Sequence, residues 1–164
     1  MASVKETLQD LYKRAVEESL GAVAKIDEYG DIEFRILRYG NFEISILEDD
    51  PEYFRILYGI GNPEDCELSE YDFLKIANDA NKTKKAIKVR CSEYKSTKNK
   101  YLIVSIESFI AAPNKIPDEN LVKSIIERYM SALQFAIDKI SESLFEEDKK
   151  IKENKGPKML SGPR

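Results

Sequence analysis

The chain has 164 residues, 42% hydrophobic and 34% charged, with a net charge of −4 and no histidine. That is the size of one domain able to bury its own core, and the composition is that of a soluble, globular protein, neither disordered nor fibrous. Without histidine there is no Ser–His or Cys–His nucleophile, no imidazole metal ligand and no imidazole switch near neutral pH, so any catalysis would rest on carboxylate, lysine or tyrosine groups.

The N-terminal stretch "MASVKETLQDLYKR" lacks the apolar block of a signal peptide. No apolar run approaches the roughly 20 residues that a membrane-spanning helix needs, so a cytoplasmic protein with no membrane partner is expected. Ser3 and Glu6 form a capping box, and Val4, Leu8, Leu11, Tyr12, Ala15, Val16 and Leu20 follow at helical spacing up to Gly21. A first helix over about 4–20 is predicted. The period then changes to two. In "DIEFRILRYGN" Ile32, Phe34 and Ile36 alternate with Glu33, Arg35 and Leu37, with a turn at Tyr39-Gly40-Asn41. "FEISIL" places Phe42, Ile44 and Ile46 on one face, "EDDPE" closes that strand at Pro51, and "YFRILYGI" is the third strand of an antiparallel meander.

Ser69 and Asp72 mark a second helix start, with Phe73, Leu74, Ile76, Ala77 and Ala80 as its apolar stripe. "KAIKVRCSEY" and "KYLIVSIESFI", joined by the turn "STKN", form a second hairpin. The latter is apolar on both faces near its start, as a central, covered strand would be. A long third helix begins near Pro117, Asp118 and Glu119, and its stripe from Leu121 to Leu144 is wider than one sheet face requires, which leaves surface for a protein interface. The predicted order is α-β-β-β-α-β-β-α: a single α+β domain over 1–147 with a five-stranded antiparallel sheet packed by helices, then a flexible basic tail over 148–164.

Charge is distributed unevenly. Residues 27–67 carry twelve Asp or Glu against three Arg, net −9, whereas residues 82–100 carry eight Lys or Arg against Glu93, net +7. "EDDPE" lacks the alternating spacing of a calcium loop, so no metal is expected there. Gly59-Ile60-Gly61 follows a strand, but "NPEDC" does not open a helix in the way a phosphate loop needs, and no cofactor is expected. Cys66 and Cys91 form no CxxC pair and read as structural thiols. In the basic stretch Lys88 and Arg90 alternate with Ile87 and Val89, as on the solvent side of an antiparallel sheet, and lysines also guard sheet edges.

The acidic glycine turn leading into three strands, "IDEYGDIEFRILRYGNFEISILEDDPEYFRILYGI", and "FLKIANDANKTKKAIKV", where Asn78 and Asn81 end a helix before a strand, together resemble the YbjN-like family within the type III secretion chaperone-like fold. The resemblance spans about residues 4–145. It implies a non-enzymatic, cytoplasmic, chaperone-like or regulatory homodimer that binds a partner or client segment. Residue by residue, Asn78 and Asn81 read as backbone-binding groups, with Asn81 in a left-handed helix cap. Lys88, Arg90, Tyr94 and Tyr101 are the expected partner contacts on the sheet surface or edge. The alternative is single-stranded nucleic-acid binding through the basic hairpin 82–101, its lysines neutralising phosphates and its tyrosines stacking on bases.

Overall fold

The structure, a computed structural model, describes residues 2–62 and 65–156. The elements are α1 (Val4–Leu20), β1 (Ala24–Ile26), β2 (Ile32–Ile36), β3 (Gly40–Ile44), β4 (Tyr53–Ile60), α2 (Glu70–Thr83), β5 (Ile87–Glu93), β6 (Lys100–Phe109) and α3 (Glu119–Asn154). The strands make one antiparallel sheet in the order β1-β2-β3-β4-β6-β5. β4 and β5 are both antiparallel to β6, so they run parallel to each other, with α2 as their crossover.

The α+β class holds, but the sheet has six strands where five were expected. The additional strand, β1, is only three residues long, too short for an alternation to stand out in the sequence. It exists because the loop after it closes tightly. Asp27 accepts hydrogen bonds from the Tyr29 and Asp31 N–H groups, at 2.8 and 2.9 Å, and its own N–H donates to the Asp31 carbonyl. An Asp side chain that mimics a turn in this way fixes a hairpin without a β-turn dipeptide of the Asn-Gly kind.

One face of the sheet carries the core. Ile32, Phe34, Phe42, Ile44, Phe54, Ile56, Leu102, Val104 and Ile106 are buried at alternate strand positions beneath the helices. α1 forms where the capping signals place it, with both halves of the Ser3–Glu6 box made and Gly21 at φ 62° closing the helix. The turn between β2 and β3 lies two residues earlier than predicted, on Leu37, Arg38 and Tyr39, with Gly40 already in the strand at φ 103°. Leu74, assigned to the apolar stripe of α2, instead faces outward.

The two asparagines differ from expectation. Asn81 is not in a left-handed cap. It remains within α2, and its carboxamide accepts from the Val89 N–H and donates to the Val89 carbonyl, at 2.7 and 2.9 Å. Because β5 is the outer strand, those backbone groups point away from β6 and would otherwise be unpaired. The left-handed residue is Ala86, at φ 59°, which no glycine or asparagine announces. Asn78 is exposed on α2.

α3 has 36 residues, about 54 Å of helix, and continues past position 147 to Asn154, so residues 148–154 of the expected tail are helical. The reason is Asp148. This buried carboxylate accepts from the Glu67 N–H at 2.8 Å and pairs with Lys152 at 2.7 Å, while Lys155 reaches Glu67 at 2.7 Å. The remainder of the predicted tail, from 157 onward, lies outside the described residues. No described helix is long and apolar enough to cross a membrane.

Candidate functional site

The helices cover one face of the sheet and leave the other open. Along that open face the register aligns Lys25, Glu33, Glu43, Leu57, Ser105 and Lys88 in one row across all six strands. In the next row Gly59 pairs with Ile103, and Ile103 with Arg90. The face is hollowed into a groove of about 500 Å³. Its floor is the half-buried side chains of Leu57 and Ile103 and the exposed backbone of Gly59, without any helix above them. "KYLIVSIESFI" was expected to be covered on both sides. β6 is indeed interior to the sheet, but Ile103 faces the groove.

Gly59 lies within the eight-residue strand β4. A methyl group placed on it would meet no atom within 4 Å, and its φ is not positive. Neither crowding nor backbone geometry requires glycine there. In a strand interior glycine gives up about 0.5–1 kcal/mol relative to alanine and marks places where something approaches the backbone closely.

The two charged tracts of the sequence meet across this groove. On one side are Asp27, Glu28 and Tyr29 of the β1–β2 turn together with Glu43 of β3, and on the other Arg90 of β5 and Tyr101 of β6. The carboxylates of Asp27, Asp31 and Glu43 lie within 4.8 Å of one another. Asp31 also accepts from the Ile46 N–H at 2.6 Å, so two of the three acids hold backbone in place. Burial pushes the Glu43 carboxyl up, and the charges of Asp31 and Asp27 push it further. None of the three has an ion-pair partner among the described residues, whereas neighbouring Glu33 is engaged by Lys25 at 2.8 Å and Asn41 at 2.7 Å. This acidic wall was not singled out from the sequence. Its members are spread from 27 to 43 and join only when β2 and β3 pair.

Of the expected contact residues, Arg90 and Tyr101 line the groove. Lys88 is on the same face but is bound to Glu107, which also accepts from the Tyr53 hydroxyl. Burial raises the Glu107 carboxyl, yet the bonds from Lys88 and Tyr53 outweigh it and hold the group below the usual carboxylate range. The Tyr53 phenol is pushed up to about 12, by burial and then by Glu107. Tyr94 and Tyr101 stack on each other with ring centroids 4.3 Å apart, so each has one face already occupied. Lys98 and Lys100 both reach Glu93, and Lys100 also reaches Glu70. Three of the eight cations of residues 82–100 are thus answered within the protein. Asn78 and Asn81 are not on this face; Asn81 binds the edge of β5. Cys66 and Cys91 are free, and burial pushes both thiols up, away from a reactive thiolate.

No protein family and no curated protein matches the sequence. Among solved structures, the crystal structure of YbjN, described as "a putative transcription regulator from E. coli", is similar with a TM-score of 0.57 and 9% sequence identity, over 79% of this chain and 87% of that one. The likeness read from the sequence is therefore borne out as a likeness of fold.

Proposed function

We propose that this protein is a non-enzymatic, chaperone-like or regulatory binding module that takes an extended segment of a partner protein on the open face of its sheet. The observation that carries the reading is the groove itself: an uncovered sheet face with an apolar floor, bare at Gly59 and walled by charges of opposite sign. The alternative of strand addition at an edge has less support. Asn81 already occupies the outward backbone groups of Val89 on β5, and β1 offers only three residues. Nucleic-acid binding is also less supported, because Lys88, Lys98 and Lys100 are paired with acids and the two tyrosines stack on one another.

The test is an array of nine-residue peptides probed with fluorescently labelled protein. Gly59→Val fills the groove without strain, and Ile103→Glu places a charge on its floor; each is expected to remove binding while circular dichroism stays unchanged. Tyr71→Ser, exposed on α2 on the helical side of the sheet, serves as the control. Peptide binding untouched by Gly59→Val and Ile103→Glu, or stronger binding to single-stranded oligonucleotides by anisotropy, overturns the reading.

A further inference from the structure

The groove is polarised, and its dimensions constrain what fits. Its acidic wall, formed by Asp27, Glu28 and Glu43, belongs to the β1–β2 turn and β3, and its cationic wall, Arg90, belongs to β5. Between β3 and β5 lie β4 and β6. Three strand spacings amount to about 14 Å. Arg90 is two residues along β5 from Lys88, the residue in register with the Glu43 row, so the path is diagonal and somewhat longer. Arg90 is exposed and has no ion-pair partner among the described residues, and the same holds for Glu28.

An extended chain advances about 13 Å in four residues and sends residues i, i+2 and i+4 to one side. With a long side chain at each end, that span matches the distance between the walls. The residue between them would rest on Leu57 and Ile103, and its backbone would pass over Gly59, where no side chain stands in the way. Carboxylates held within 4.8 Å of one another, with no ion-pair partner among the described residues, gain from an incoming ammonium or guanidinium group. A like-charged segment would meet repulsion at that same wall.

Resting on the reading of the open face as the binding surface, we propose that the segment it takes crosses the strands and carries a Lys or Arg and an Asp or Glu four residues apart, with an apolar residue midway. The basic side chain seats against Glu28 and Glu43, the acidic one against Arg90. The shared chemistry is that of a zwitterionic extended peptide, and the groove discriminates against wholly acidic segments.

The peptide array tests this directly, using the full chain and sequences randomised at every position. Bound peptides are expected to be enriched in that i, i+2, i+4 pattern, in one of its two chain directions. Glu28→Gln with Glu43→Gln should lower the preference for a basic residue about tenfold and leave the acidic preference in place. Arg90→Gln should do the converse. Circular dichroism and the urea midpoint establish that each variant is folded. Peptides that bind and are lost with Gly59→Val, yet show no paired-charge preference or keep it in the neutralised variants, overturn this inference alone. Absence of peptide binding, or binding indifferent to Gly59→Val, overturns the open-face reading beneath it as well.

Discussion

Glu43 shows how a single residue on this face costs stability at neutral pH, as the proposed binding wall would require. Its carboxyl is held above the usual range by burial and by Asp31 and Asp27, so the folded protein takes up a proton there more readily than the unfolded chain. The sign follows: Glu43 contributes stability below the ordinary glutamate range, and that contribution is lost as pH rises through the elevated folded-state value. Removing the charge with Glu43→Gln is therefore expected to make the protein more stable at pH 7, with the advantage vanishing in acid. Urea midpoints at pH 7 and near pH 3.5 measure it; a variant less stable at pH 7 would contradict the account. A residue kept in a form that costs stability is what a charged binding wall requires.

At the scale of elements, the junction of α2 with β5 is held by one side chain. Asn81 supplies both a donor and an acceptor to Val89, taking the place of a neighbouring strand. Replacing it with leucine keeps the volume and leaves two backbone groups of an outer strand unpaired. The expected cost is about 1–3 kcal/mol, together with a tendency to self-associate through the freed edge. Chemical denaturation measures the first and concentration-dependent light scattering the second. Asn81→Asp, which retains only the acceptor, should fall between the two. The end of α3 follows a similar logic, since Asp148 ties its last turns to the Glu67 backbone and so extends the helix past the point where the apolar stripe ends.

For the molecule as a whole, the helices and the open sheet face divide the labour: one side buries the core and the other remains available. We propose that the helical side also pairs two copies of the chain. In support, α3 leaves Phe135 and Phe145 59% and 67% exposed, large apolar side chains of the kind that surfaces between subunits use. Multi-angle light scattering at high micromolar concentration is expected to report a dimer that Phe145→Ser weakens; a monomer at that concentration removes the proposal. Lys84 lies 5.5 Å from the centre of the Phe135 ring, so Phe145 is the better first substitution.

Much of this architecture was legible in the residues. Helical and strand periods, the capping boxes at Ser3 and Ser69, and the alternation of Lys88 and Arg90 with Ile87 and Val89 are local patterns, and local backbone preferences follow them directly. The opposite charges of 27–67 and 82–100 were visible too, but not that they would face each other across one groove. Three things depended on tertiary structure. β1 exists through the Asp27 turn, Asn81 serves an outer strand instead of a helix end, and Leu57, Gly59 and Ile103 form a floor where apolar runs alone read as covered sheet. Each depends on which strand lies beside which, and on which face the helices leave bare. Those are pairings between segments far apart in the chain, which no local period encodes.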